Sequence, residues 1–133
     1  MDYTALIAAA TEAQTRAYAR YSDFAVGAAL LTKSGKIFVG CNVENISFRL
    51  TMCAEQLAVG AAVANGEREF VAVAVVTNSK DPAVPCGGCR QVLAEFNPDL
   101  QVINVTLAGK KETYLLSELL PRPRQGILES NDE

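Results

Sequence analysis

The chain contains no histidine and no tryptophan, and aromatic residues occupy only 7% of its 133 positions. Without histidine, neither a Ser-His nor a Cys-His nucleophile pair can form, and zinc sites built from histidine are excluded. A general base in this protein must therefore be a carboxylate, a lysine, a tyrosine, a thiolate or a hydroxide held by a metal.

Basic residues are also few, with 12 Lys and Arg against 15 Asp and Glu and a formal net charge of −3. No stripe of Lys and Arg appears, so we expect no nucleic-acid partner. No apolar run approaches the roughly 20 residues of a membrane span, and the first residues lack the regions of a signal peptide. We therefore expect a cytoplasmic protein with no membrane partner, whose cysteines are thiols or metal ligands.

Half of the residues are hydrophobic, and the length suits a single domain over residues 1–133 with a tail from about 122. Apolar periodicity and turn signals predict a helix over 3–19, strands over 24–32 and 36–43, a helix over 51–64, a strand over 70–76, a helix from 85 to 96, strands over 101–107 and 112–115, and a final turn over 117–120. Short connections predict that the first two strands and the last two strands pair antiparallel. This order indicates an α/β domain with helices on a mixed sheet.

Three cysteines and one glutamate form the most informative pattern. They lie in Cys53-Ala54-Glu55 and in Pro85-Cys86-Gly87-Gly88-Cys89, each at the predicted start of a helix. A helix N-terminus carries partial positive charge, which favours the thiolate form. A catalytic zinc site uses three protein ligands, leaves one position open, and needs a nearby acid or base. The pattern therefore favours such a site.

Each part of this pattern also has a simpler interpretation. A lone C-x-x-C is typical of a redox pair or of half a structural zinc site, for which Cys41 would be the fourth ligand. Glu55 would be favourable in a first helical turn through the helix dipole alone. Cys53 would be a small buried side chain. Spacing alone leaves these alternatives open, and the position of the carboxylate favours the catalytic one.

Cys-Ala-Glu followed by Pro-Cys-x-x-Cys, together with three longer motifs, resembles the small homotetrameric cytidine deaminases of the three-cysteine zinc type. The motifs are Tyr-Ser-x-Phe-x-Val-Gly-Ala-Ala-Leu at 21–30, Gly-Cys-Asn-Val-Glu-Asn at 40–45, and Pro-Cys-Gly-Gly-Cys-Arg-Gln-Val at 85–92. The resemblance covers about residues 21–121. It implies a three-layer α/β/α sandwich around a five-stranded mixed sheet, and a homotetramer with shared active sites.

The resemblance implies hydrolytic deamination of cytidine and deoxycytidine to uridine and deoxyuridine in pyrimidine salvage. It implies one Zn²⁺ per chain, with a water molecule in the fourth position and Glu55 as the catalytic acid and base. It implies three metal ligands, Cys53, Cys86 and Cys89. It also implies four substrate-binding residues, Phe24, Asn42, Glu44 and Ala54. The simpler interpretation of Phe24 is a core side chain, and that of Asn42 and Glu44 is a solvated turn or strand end.

The chain departs from this family pattern at three places. Gln56 stands where many three-cysteine relatives carry arginine, so we expect helix dipoles to compensate more of the thiolate charge. Phe48 replaces a frequent tyrosine. After Leu119-Leu120-Pro121 no aromatic residue follows, and Ile127 or Leu128 would be an apolar lid. Gln56 and the altered tail keep open a deaminase of another cytosine-like nucleoside, such as blasticidin S. A non-catalytic zinc-stabilised binding module is the alternative of a different class.

Overall fold

The computed structural model describes residues 2–123, and the expected lid residues Ile127 and Leu128 lie outside the described residues. The elements are α1 Thr4–Gln14, β1 Val26–Thr32, β2 Ile37–Cys41, a 3₁₀ turn Phe48–Leu50, α2 Ala54–Ala64, β3 Phe70–Thr77, α3 Gly87–Ala94, β4 Gln101–Thr106, β5 Lys111–Leu115 and α4 Leu116–Leu119. Within residues 2–123, no helix has the length and apolar character that a membrane crossing requires.

The five strands form one mixed sheet in the order β2-β1-β3-β4-β5, so β2 and β5 are its edges. β1 is antiparallel to both β2 and β3, β3 is parallel to β4, and β4 is antiparallel to β5. The expected five-stranded mixed sheet and both antiparallel hairpins are confirmed. The continuous apolar run of β3 is explained by its central place, since such a strand is covered on both faces.

Helices cover both faces of the sheet, which confirms the three-layer sandwich. α1 packs on one face through Leu6 and Ala10, against a cluster of alanine, valine and isoleucine side chains. On the other face α2, α3 and α4 pack through Ala58, Leu93 and Leu116. The layer that contains α2 and α3 is the one that presents the cysteine motifs.

Two glycines let helices approach the sheet more closely than side chains would permit. A Cβ atom at Gly27 in β1 would lie 2.1 Å from the carbonyl oxygen of Ala10 in α1. A Cβ atom at Gly40 in β2 would lie 2.4 Å from the carbonyl oxygen of Ala54, the first residue of α2. Gly40 therefore sets how close the start of α2 lies to the sheet.

Two helix boundaries differ from the sequence prediction by three residues or more, because tertiary pairing overrides helical periodicity. α1 ends at Gln14 instead of continuing to 19, since the main chain of Tyr18 pairs with that of Val43. α2 begins at Ala54, because Met52 pairs with Val43 and the chain stays extended up to the start of the helix. The segment around Val43 thus has a partner on each side.

Candidate metal centre and active site

A cavity of about 290 Å³ opens where the N-termini of α2 and α3 face the ends of β1 and β3. Val26 and Thr77, which are partners at the ends of those strands, contribute to its wall. Cys53, Glu55 and Cys89 also line it. The two sequence motifs, distant along the chain, therefore meet at one cavity.

The three predicted zinc ligands lie together. Cys53 and Cys86 are the residues that precede α2 and α3, and Cys89 lies in the first turn of α3. Their Sγ atoms lie within 4.8 Å of one another, and those of Cys86 and Cys89 are 3.5 Å apart. Tetrahedral zinc with Zn–S bonds of about 2.3 Å requires sulfur–sulfur separations of about 3.8 Å. The cluster fits one zinc ion.

Cys41 is not part of this cluster. Its thiol donates to the carbonyl oxygen of Arg16 at 3.6 Å. Among residues 2–123, the group able to hold a metal consists of Cys53, Cys86 and Cys89. A closed four-cysteine structural site, considered from the sequence, therefore lacks its fourth ligand in the part of the chain that the structure describes.

The thiols differ in their electrostatic surroundings. The backbone amides of Cys89 and Gly88 at the start of α3 lower the pKa of the Cys86 thiol. Burial raises the pKa of Cys53 and of Cys89, and the neighbouring Glu55 carboxylate raises both further. Three thiols this close become thiolates together only when a cation compensates their charge. The chemistry of the donor set therefore suits a divalent metal.

Glu55 is the second residue of α2, and only 6% of its surface is exposed. Burial raises the pKa of its carboxyl group. Ala54, the first residue of α2, is fully buried at the cavity, and its amide has no acceptor within the helix. The site thus combines a proton-exchanging group, an amide donor and a cluster of metal ligands.

Gln56 follows Glu55 and lies on the exposed side of α2. Its Nε2 atom donates to the Sγ atom of Cys89 at 3.5 Å. The amide thus supplies a neutral donor, and no charge, to the sulfur cluster.

Asn42 is bonded to the chain at the start of β1. Its Nδ2 atom donates to the carbonyl oxygen of Phe24 at 2.8 Å, and its Oδ1 atom accepts from the amide of Val26 at 2.9 Å. The side chain is buried and lines the cavity. It is therefore an ordered part of the wall and not a solvated turn residue.

Glu44 is held in the same way by the preceding loop. Its Oε1 atom accepts from the amides of Tyr21 at 2.9 Å and Ser22 at 3.0 Å, and its Oε2 atom accepts from the Ser22 hydroxyl. The hydroxyl, helped by these amides, lowers the pKa of Glu44. Sequence reasoning assigned no role to Ser22, although its place two residues before Phe24 is typical of a hydroxyl that bonds nearby backbone.

Aromatic side chains form the apolar wall of the cavity. Phe24 is 39% exposed and lines the cavity, so its interpretation as a core residue is wrong. Phe48, from the 3₁₀ turn, and Val84, from the loop before α3, are also exposed beside it. The site therefore combines the sulfur cluster and polar side chains with exposed apolar side chains.

The family model for the cytidine and deoxycytidylate deaminase zinc-binding region matches residues 1–105. The chain belongs to this family. It is 47% identical over 122 residues to a cytidine deaminase from Sporosarcina psychrophila, covering 91% of this chain and 90% of that protein. A more distant relative, a blasticidin-S deaminase from Bacillus cereus, is 34% identical over 124 residues and 87% of each chain.

The fold agrees with this assignment. The crystal structure of cytidine deaminase from Burkholderia pseudomallei matches with a TM-score of 0.88 and 48% identity, covering 92% of this chain and 98% of that one. The family, the three-layer fold and a zinc-binding region are thus established for the chain.

Proposed function

We propose that this protein is a zinc-dependent deaminase that converts cytidine and deoxycytidine to uridine and deoxyuridine with release of ammonia. The observation that carries the proposal is the buried Glu55 carboxylate beside three sulfur atoms that lie within 4.8 Å of one another. Cys53, Cys86 and Cys89 would hold one Zn²⁺. Relatives named cytidine deaminase that align with nine-tenths of the chain support this substrate class.

Zinc, when bound, would supply Lewis-acid activation of water near neutral pH. Glu55 would take a proton from the attacking water on a carboxylate oxygen and deliver it to N3 of the pyrimidine. It would then assist the departure of the C4 amino group as ammonia. Glu55 is buried at the cavity beside the sulfur cluster, so a single carboxyl group can exchange protons with both the water and the pyrimidine. One residue therefore serves as base and then as acid.

The cavity wall supports roles for the four predicted substrate residues. The amide of Ala54 would donate to the pyrimidine carbonyl oxygen, and Phe24 would pack against the substrate. Asn42 and Glu44 would bind ribose hydroxyl groups. Glu44 suits this role because its neighbours lower its pKa and so keep it charged, which makes it a strong acceptor.

We also propose that the protein is a cytoplasmic homotetramer whose active sites are shared between subunits. An alternating set of exposed apolar residues supports this proposal: Ile46, Phe48, Leu50 and Met52. Exposed apolar residues that lie together on a surface mark sites of contact with other proteins. Phe48 also lines the cavity, so a partner that covers this segment would border the site. The three closely spaced thiols suit a reducing compartment.

The test is steady-state deamination of cytidine, deoxycytidine and blasticidin S by purified protein whose zinc content is measured. We expect turnover of the first two and one zinc per chain. Glu55→Gln should keep the zinc and lose activity by about 10²- to 10⁴-fold, the usual contribution of a general acid–base group. Glu12→Gln changes an exposed residue of α1, on the face of the sheet opposite the site, and should leave the zinc content and the activity unchanged.

The remaining outcomes are informative. Preference for blasticidin S would favour the function that the name of the Bacillus cereus relative indicates. Full zinc occupancy with turnover of none of the three would contradict the enzyme proposal and favour a zinc-stabilised binding module. Activity that survives Glu55→Gln would contradict the assigned role of this carboxylate.

A further inference from the structure

Arg90, the residue after Cys89, binds the backbone on both sides of Cys86. Its amide donates to the carbonyl oxygen of Cys86 at 2.9 Å. Its side-chain Nε atom donates to the carbonyl oxygen of Pro85 at 2.8 Å. The two peptide groups that flank the Cα atom of Cys86 therefore both bond to one residue, and this arrangement fixes the direction of the Cα–Cβ bond.

The first turn of α3 needs such a restraint. Cys86 is followed by Gly87 and Gly88, and glycine is the most costly ordinary residue to hold in a helix. A Cβ atom at Gly87 would meet no atom within 4 Å, so the start of this turn has no packing partner on that side. Cys86 is itself exposed, and burial does not fix its thiol.

The other end of the Arg90 side chain is attached to α4. Its Nη1 atom donates to the carbonyl oxygen of Leu119 at 2.9 Å. Leu119 is the last residue of α4, where carbonyl groups have no donor within the helix. α4 is in turn anchored in the core by Leu116, which is fully buried. A charged, planar guanidinium is suited to bridge two carbonyl groups in this way.

From these contacts we infer that Arg90 is a positioning residue of the metal centre, which connects the core-anchored helix α4 to the peptide bonds around Cys86. The inference rests on the proposed function, since it presumes that Cys86 is a zinc ligand. It assigns the arginine side chain to two backbone carbonyl groups, one before Cys86 and one at the end of α4.

The test compares Arg90→Ala, Arg90→Lys and Gln91→Ala in full-length protein loaded with zinc. Gln91 is the matched control, because its Nε2 atom donates to the carbonyl oxygen of Pro123 at 2.9 Å and so contacts the same C-terminal segment. Zinc affinity is measured by competition with a chromogenic chelator. Loss of an outer-shell partner weakens metal binding about 10- to 100-fold, and we expect this loss for Arg90→Ala. The zinc affinity of Arg90→Lys should lie between those of Arg90→Ala and the wild type, since lysine keeps one donor group. The zinc affinity of Gln91→Ala should equal that of the wild type.

Urea unfolding of the metal-free proteins separates positioning from general stability. We expect the zinc affinity of Arg90→Ala to fall more than its metal-free stability explains, with partial rescue by lysine. The inference would be overturned if Arg90→Ala bound zinc as tightly as the wild type, or if its loss of affinity were fully explained by its unfolded fraction. Either result would leave the proposed zinc-dependent deamination by the wild type intact. A wild type that binds no zinc would overturn the proposed function and, with it, this inference.

Discussion

Gln56 shows at the scale of one residue how this site differs from an arginine-bearing one. Three thiolates on a divalent cation leave one net negative charge, and the Gln56 amide reaches the Cys89 sulfur without offsetting it. The partial charges at the starts of α2 and α3 remain to compensate the cluster. Substitution at this exposed position therefore changes the charge near the metal with little effect on packing.

We expect Gln56→Arg to move the acidic limb of the kcat/KM–pH profile to lower pH. A nearby positive charge favours the ionised form of the group that must lose a proton. Gln56→Glu, which keeps the side-chain size, should move the limb in the opposite direction. Profiles that coincide for all three proteins would mean that charge at this position does not control the limb.

Glu44→Gln should lower the free energy of unfolding at neutral pH. The folded protein lowers the pKa of Glu44 beneath its ordinary value of 4.5, mainly through the Ser22 hydroxyl. The ionised carboxylate therefore contributes stability that is complete above pH 4.5 and is lost as pH falls through the lowered pKa. Urea midpoints of wild type and variant should converge in acid.

The control for this experiment is Glu12→Gln, which removes an exposed ion pair with Arg16. Exposed ion pairs usually contribute little to the free energy of unfolding. The urea midpoint of Glu12→Gln should differ little from that of the wild type at every pH. A Glu44→Gln difference that stays constant into the acid range would show that the charge of this carboxylate does not contribute to stability.

At this scale the convergence of Cys53, Cys86, Cys89 and Glu55 was predictable, because metal chemistry restricts ligand type and spacing. The partners of Glu44 were not predictable. They come from the loop before β1, more than 20 residues away along the chain, and only the tertiary fold brings them together. The substrate roles of these residues stay predictions.

At the scale of elements, the start of α2 is placed by its contact with Gly40 in β2. Gly40→Ala would set a Cβ atom 2.4 Å from the Ala54 carbonyl oxygen and 2.7 Å from the Ala58 amide nitrogen. Because both are backbone atoms, the helix must move. We expect a loss of roughly 1–3 kcal/mol in unfolding free energy, as for other overpacked sites, together with reduced zinc affinity and kcat.

Gly27→Ala is the matched control on the opposite face. Its Cβ atom would lie 2.1 Å from the Ala10 carbonyl oxygen in α1, which carries no site residue. It should lower stability similarly and leave kcat per folded molecule unchanged. Equal kcat losses in both variants, measured at matched folded fraction, would contradict the role given to Gly40.

The sequence predicts whether each element is a helix or a strand more reliably than it predicts the residues at which the element begins and ends. The long apolar run of β3 and the turn at Ser34-Gly35 are local signals, and the structure confirms both the central strand and the hairpin. The end of α1 depends on pairing between Tyr18 and Val43, which are far apart in sequence. Helical periodicity alone contains no information about such a partner.

At the scale of the whole molecule, the exposed apolar segment predicts self-association. Sedimentation equilibrium should give a species of four times the chain mass of 14.2 kDa. Ile46→Lys, at a position that is 86% exposed, should shift it to smaller species and lower the activity of dilute samples. Leu107→Lys, at an exposed apolar position between β4 and β5, is the control. A wild type that sediments as a monomer at all concentrations would contradict the tetramer.

The two edges of the sheet are unlike. β5 begins with the exposed charged residues Lys111 and Glu112, whereas β2 exposes the apolar side chains of Ile37 and Val39. Charges at an edge discourage further strands from adding, and apolar residues there do not. Aggregation by strand addition would therefore begin at β2, so this edge decides whether concentrated protein stays in solution.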